Sequence, residues 1–178
     1  GPRHRALGLA TSKDGVHFDK YSGNPVLTHL PHENQEEGVF SAGATVDDKG
    51  RILIYYGAIW AANRHTEEVH GHIALAQSQD GKHFKDLGYL LSWDNPSVWG
   101  HGDELAPLGA CRVNGRAYAY YIAKGRVGAW KLGIASGPSR DELTRTRAFL
   151  TKGQCIGGTD PVRIGGDKIA FFIVKDFA

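Results

Sequence analysis

Short apolar runs separated by glycine, aspartate and asparagine set the pattern of this chain. Val39-Phe40-Ser41-Ala42-Gly43-Ala44-Thr45-Val46 is followed by Asp47-Asp48-Lys49-Gly50 and then by Arg51-Ile52-Leu53-Ile54-Tyr55-Tyr56. β-Branched and aromatic side chains fit a pleated, half-buried surface, so the two runs read as strands and the polar four as their turn. Leu105 to Val113, Asn114-Gly115 and Arg116 to Ile122 repeat the unit, and Gly115 lies 65 residues after Gly50. Val162-Arg163-Ile164, Gly165-Gly166 and Lys168 to Val174 begin it a third time.

A second motif alternates with the first. Leu7-Gly8-Leu9-Ala10-Thr11-Ser12 runs into Lys13-Asp14-Gly15-Val16-His17-Phe18, and Ile73 to Ser78 runs into Gln79-Asp80-Gly81-Lys82-His83-Phe84; Ser12 and Ser78 are 66 residues apart. Asp-Gly between strand-like runs predicts a tight hairpin at each place. A degraded copy, Leu132 to Ser136, follows 58 residues after the second, with Gly137-Pro138-Ser139 replacing Asp-Gly. The stretch Ala61 to Gly71, with Arg64, His65, Glu67, Glu68 and His70, reads as a solvated loop, because two histidines five apart in irregular chain share no fixed face for a metal. The longest segment compatible with a helix is Arg140 to Thr146.

These readings predict an all-β chain. Four antiparallel strands per unit of about 60 residues is what a β-propeller blade needs, and at that size the chain holds about three blades where propellers have typically four to eight. The expected organisation is one partial propeller domain over residues 1–178, with blade segments near 1–30, 36–92, 102–152 and 158–178. The ring would be completed by the missing part of a longer propeller or by a second chain.

Composition narrows the partners. Lysine and arginine number 21 against 19 acids, a formal charge of +2, and no basic block tracks a phosphate backbone, so nucleic acid is not an expected partner. Nothing approaches eighteen consecutive apolar residues, and Gly1-Pro2-Arg3-His4 lacks the apolar core of a signal peptide, so neither a membrane span nor an address is expected. Methionine is absent even from position 1, which points to a processed chain or a piece of a longer one. Cys111 and Cys155 are the only cysteines and have no neighbouring ligand residues. They are expected as buried free thiols, and no metal or other cofactor is expected.

With these residues in place, the chain resembles the five-bladed β-propeller glycosidases, chiefly glycoside hydrolase families 43 and 32 and their relatives. Three stretches carry the resemblance. Gly8 to Phe18, with Asn24-Pro25-Val26-Leu27 behind it, is similar to outer blade strands bearing an S-x-D-G-x-x-F phrase. Gly38-Val39-Phe40-Ser41-Ala42-Gly43-Ala44 is similar to the Phe-Ser-Gly-Ser segment of family 32, and Thr159-Asp160-Pro161 resembles the acid-bearing start of a later blade. The resemblance implies a carbohydrate substrate, a furanoside or related glycan, and carboxylates reaching an axial pocket from the first, third and fourth blades. On that reading the first-blade acid lies before residue 1, Asp103 and Glu104 open the third blade, and Asp160 opens the fourth.

Cleaving a glycosidic bond needs one protonated acid at the leaving oxygen and one ionised carboxylate that attacks carbon or activates water, while a third acid tunes its neighbour. Asp103, Glu104 and Asp160 are therefore the candidate catalytic residues. Adjacent side chains on a strand point to opposite faces, so one of Asp103 and Glu104 faces the axis, with Glu104 favoured. His101, set between two glycines, is a candidate for a sugar hydroxyl. Trp60 and Trp99 end strand runs and offer stacking walls, whereas Trp130 reads as core. Ser41 joins the substrate-binding candidates through the family 32-like segment.

Two other classes stay open. A non-catalytic sugar-binding or assembly propeller would keep the blades and lose an acid. A glycoside phosphorylase of related fold would hold phosphate with basic residues, for which Arg64, Arg112 and Arg163 are candidates. The sugar, the linkage and the stereochemical course are not set by these residues, because Leu108 follows Ala106-Pro107 where family 43 carries an aspartate.

Overall fold

A computed structural model of the chain describes residues 5–28, 38–47, 49–63, 68–91, 104–124, 130–139, 142–146, 155–158, 161–165 and 168–175. Every described element is a strand, and no described helix is long and apolar enough to cross a membrane. At the start, β1 (Ala6–Leu7) pairs with β4 (Leu27–Thr28), and β2 (Ala10–Thr11) pairs with β3 (Asp19–Lys20). Two four-stranded antiparallel meanders follow. The first is β5 (Gly38–Val46), β6 (Ile52–Asn63), β7 (Glu68–Ser78) and β8 (Lys85–Leu91). The second is β9 (Glu104–Val113), β10 (Arg116–Lys124), β11 (Lys131–Gly137) and β12 (Thr144–Thr146). Last come β13 (Cys155–Gly158) with β16 (Ile173–Lys175) and β14 (Val162–Arg163) with β15 (Ile169–Ala170), two successive pairs of one hairpin.

The middle strands of each meander are buried on both faces, which explains their near-continuous apolar runs. Along β6 and β7, Leu53, Tyr55, Ile73 and Leu75 turn toward the second meander, while Tyr56, Ala58, Ala74 and Ala76 turn toward Leu27 and the first strand pairs. β10 divides in the same way. Its Ala117, Ala119, Tyr121 and Ala123 meet the first meander, and its Tyr120 and Ile122 join Leu132 and the partly buried Phe171 and Ile173 of the last hairpin. Bulky side chains of one sheet thus face mostly alanines of the next, so the layers interdigitate. Trp130 packs against this last cluster, as its sequence context suggests, and Tyr120 stacks on Phe171 with centroids 4.8 Å apart.

Three local expectations are corrected by this geometry. The two Asp-Gly sites are not tight hairpins: β2 and β3 are joined by residues 12–18, a longer loop. It closes on side chains. Asp14 Oδ1 accepts from the Val16 and His17 amides at 2.9 and 2.8 Å, and Ser12 Oγ accepts from the Gly15 amide at 2.8 Å. The loop after Ser78 repeats the network, with Asp80 Oδ1 accepting from the Lys82 and His83 amides, both at 2.9 Å, and Ser78 Oγ from the Gly81 amide. Such side-chain bonds replace the missing ladder. The genuine two-residue turn is Asn114-Gly115, both at positive φ, with Val113 paired to Arg116.

The second correction concerns Ala61 to Gly71. Most of it is ladder, since Ile59 pairs with Gly71, Trp60 with His70 and Ala61 with Val69, and only 64–67 lie outside the described residues. The third concerns Arg140 to Thr146, the longest stretch compatible with a helix. Thr144–Thr146 is β12, which Leu143 anchors in the core between the meanders. Cys111 is a thiol outside any disulfide, as expected, but partly rather than fully buried beside Tyr120, and the side chain of Cys155 lies outside the described residues.

The strand pairs at the start are fastened by polar groups as well. Asn24 mimics a strand partner by accepting from the Leu9 amide at 2.7 Å and donating to the Leu9 carbonyl at 2.9 Å. Lys82 places its ammonium 5.2 Å from the centre of the Tyr21 ring, linking the second Asp-Gly loop to the first pairs.

Two predictions follow from this architecture. Leu75 is 3% exposed in the core between the meanders, so Leu75→Ala should destabilise the fold by about 2–5 kcal/mol, read from the midpoint of urea unfolding. In the paired loops, bonds from the His17 side chain and amide, then from the Val16 amide, hold the Asp14 carboxyl well below its usual range. The His83 amide and ring, then the Lys82 amide, do the same for Asp80. A folded pKa below the unfolded one makes these bonds contribute above the unfolded value, near 3.9, and vanish as pH falls through the folded value. A carbon-detected NMR titration should therefore find both carboxylates still ionised at pH of about 3. Midpoints at or above 3.9 would contradict the geometry.

Candidate functional site

Each meander begins with the strand that lies beside the neighbouring sheet: β5 approaches β9, and β13 approaches β10 and β11. The candidate site is read from the starts of these strands. Glu104 is the first residue of β9 and pairs with Lys124. Counting from the hairpin bases, Ile52 in β6 and Arg116 in β10, the position in the first meander that corresponds to Lys124 is Trp60. Glu104 and Trp60 thus sit at the same end of adjacent sheets. The backbone of both is described, and their side chains are outside the described residues.

A bulge marks both leading strands at the same rung. In β5 the register shifts between Phe40 and Ala42, leaving Ser41 as the extra residue opposite the step from Tyr56 to Gly57. In β9 the extra residue is Leu108, opposite the step from Tyr120 to Tyr121. A bulge bends its strand and re-aims the residues next to it, and such features gather at barrel rims and beside active sites. Pro107 is tolerated here because β9 is an edge strand of its sheet and the ladder is already broken. Sequence pattern alone missed these bulges, although Pro107 and Gly109 on either side of Leu108 were a usable signal. β13 also carries a shift, with Ile156 as its extra residue.

The start of β5 is anchored by close backbone approach. Gly38 has φ of 77°, and a Cβ there would run into the Arg5 carbonyl, whose oxygen accepts the Val39 amide at 2.9 Å. Only glycine fits that crossing. Behind the strand starts, Tyr56 donates to Asp86 at 2.8 Å, and burial followed by that carboxylate raises the Tyr56 hydroxyl above its usual range. His72, largely buried, stacks on Tyr89 with centroids 4.1 Å apart. These groups lock the outer strands of the first meander.

The remaining sequence candidates, Asp103, Asp160, His101 and Trp99, lie outside the described residues, as does Arg64. Asp160 falls between Gly158, which pairs with Ile173, and Val162, which pairs with Ala170. Arg112 is brought to a different place from the strand starts, near the far end of β9. Among the described residues no cluster of three or more His, Cys, Asp or Glu could hold a metal ion.

No family model matches the chain. A curated sucrose-6-phosphate hydrolase from Escherichia coli is 34% identical over 112 residues, covering 58% of this chain and 22% of that protein. Among solved structures, a β-1,2-mannobiose phosphorylase from Listeria innocua in complex with β-1,2-mannobiose aligns with a TM-score of 0.63 at 20% identity, over 90% of this chain and 42% of that one. The GH43_1 enzyme from Xanthomonas citri, complexed with xylose, gives 0.55 at 20% identity, over 76% and 38%. An endo-arabinase from Bacteroides thetaiotaomicron gives 0.52 at 20% identity, over 67% and 39%.

The chain is thus an all-β propeller over part of a ring. Its likeness is to the five-bladed propeller glycoside hydrolases and phosphorylases, of which it spans about a fifth of the curated relative's length and about two fifths of each structure. The resemblance expected from the sequence motifs and the all-β fold are both borne out.

Proposed function

We propose that this chain supplies one side of the axial pocket of a glycosidase. The observation that carries the reading is the position of Glu104, which heads the leading strand of a complete meander at the end where Trp60 stands in the adjacent sheet. In this role Glu104 or Asp103 is the acid that protonates the leaving oxygen, and Asp160 is a second carboxylate that tunes its proton affinity. The carboxylate that attacks carbon, or takes a proton from attacking water, comes from a blade not contained in these residues. His101 and Ser41 bind hydroxyls, and Trp60 and Trp99 wall the subsite. The substrate class is a furanoside or related glycan.

Phosphorolysis is the second reading, favoured by the breadth of the alignment with the mannobiose phosphorylase. In that reaction phosphate takes the place of water at the same carbon, and the glycosyl group leaves as a sugar phosphate. Arg64 and Arg163 remain its candidate phosphate holders, while Arg112 belongs to the other end of β9.

Assays of the complete parent protein on aryl furanosides, aryl pyranosides and β-1,2-mannobiose, with and without phosphate, separate the two. Glu104→Gln should lower kcat by roughly a hundredfold or more, with KM far less affected. Unchanged kcat would remove Glu104 from the chemistry, and binding of sugars with no turnover on any substrate would leave a non-catalytic propeller.

We infer also that the last hairpin is covered by further strands, from the rest of a longer propeller or from another chain. Val162, Ile164, Phe172 and Val174 are each at least half exposed on β14, β16 and their flanks, more apolar surface than a finished blade leaves in water. Light scattering should then show either a larger polypeptide or an assembly. A stable, well-folded 19.4 kDa monomer of this chain would count against closure.

A further inference from the structure

Three steps in the chain join an aspartate or asparagine to a following glycine: Asp14-Gly15, Asp80-Gly81 and Asn114-Gly115. At such a step the glycine nitrogen can attack the carbonyl carbon of the preceding side chain and close a cyclic imide, because no Cβ on the glycine hinders the approach. The three differ in what the reacting groups are already bonded to.

Both aspartate steps are tied at the side chain and at the amide. The Asp14 carboxylate accepts from the Val16 and His17 amides and meets His17 Nδ1 at 2.7 Å, while the Gly15 amide donates to Ser12 Oγ at 2.8 Å. Asp80 and Gly81 repeat the arrangement, with His83 Nδ1 at 2.7 Å and Ser78 Oγ at 2.9 Å. Closing a ring there would break several bonds at once, among them bonds to an ionised group, which are the strong ones. Asn24 is tied as well. It bonds the Leu9 amide and carbonyl, and it precedes Pro25, which has no N–H to lose.

Asn114-Gly115 is untied on each count. The step is the exposed turn between β9 and β10, with φ of 48° and 75°. Among the described residues neither the Asn114 side chain nor the Gly115 amide has a hydrogen-bond partner. A Cβ built on Gly115 would find nothing within 4 Å, so the peptide has room to swing into the ring. The Asn114 side chain is also uncharged and carries its own leaving group, Nδ2.

We infer that Asn114-Gly115 is a site of spontaneous modification, at which the folded chain loses ammonia and gains a carboxylate while the two Asp-Gly loops stay intact. The Gly115 nitrogen gives its proton to hydroxide and bonds to Asn114 Cγ; the Cγ–Nδ2 bond breaks, and Nδ2 takes a proton from water and leaves as ammonia. Water then opens the imide. Addition at Cγ leaves aspartate at position 114, and addition at the backbone carbonyl carbon leaves isoaspartate, in which the main chain runs through the former side chain. The turn holds two residues between the paired Val113 and Arg116, so the extra backbone carbon of isoaspartate disturbs the match that sets the register of β9 on β10. Glu104 stands at the other end of β9, so the modification loosens the hairpin that carries it.

Incubation of the folded chain in mildly alkaline buffer, followed by mass-spectrometric peptide mapping and an isoaspartate-specific methyl-transfer assay, tests this. Asn114 should convert several-fold faster than any other asparagine, at a rate that rises with hydroxide concentration. Asp14 and Asp80 should yield isoaspartate only when urea unfolds their loops. Asn114→Gly keeps a residue that accepts positive φ and should abolish the acidic form that accumulates on anion exchange. The inference is overturned if Asn114 stays intact in the folded chain, if another asparagine converts first, or if Asp14 or Asp80 isomerises as fast as Asn114 while folded.

Discussion

Burial of the central strands on both faces is the constraint on which the rest of this structure depends. A sheet that covers only one face can stand alone with water on the other, but β6, β7 and β10 have no polar face to offer. Each meander therefore requires a neighbour on either side. That requirement stacks the sheets, turns their leading strands toward one another and brings the strand starts to a common end. The location of the candidate site is a consequence of core packing before it is a matter of any acid.

Much of this was legible in the sequence because the repeat is regular. The hairpin at Asn114-Gly115, the strands on either side of Asp47 to Gly50 and the core role of Trp130 follow from turn chemistry and side-chain shape, which act locally. The misreadings arose where side chains replace backbone pairing. Ser12 with Asp14, and Ser78 with Asp80, close wide loops that look like tight Asp-Gly hairpins because the same glycine serves either geometry. Polar residues between Ala61 and Gly71 suggested irregular chain, yet a ladder bonds through backbone whatever the side chain, and the strands simply run on.

The site itself was less legible. Glu104 and Ser41 fall on leading strands, but the bulges that set their register depend on partner strands and left only Pro107 and Gly109 as local traces. A period-2 pattern cannot report an extra residue until the partner is known. For Asp103, Asp160, His101 and Trp99, sequence remains the ground of the assignment.

Packing bulky side chains against alanines has a further consequence for how such a chain can change over time. Leu53, Tyr55, Ile73 and Leu75 fit Ala117, Ala119, Ala123 and Ala135 as a key fits one lock. A blade copied and inserted elsewhere in the ring would present its large residues to a surface shaped for other ones. A substitution at such a seam changes the fit of two sheets at once, so its cost falls when the facing residue changes with it.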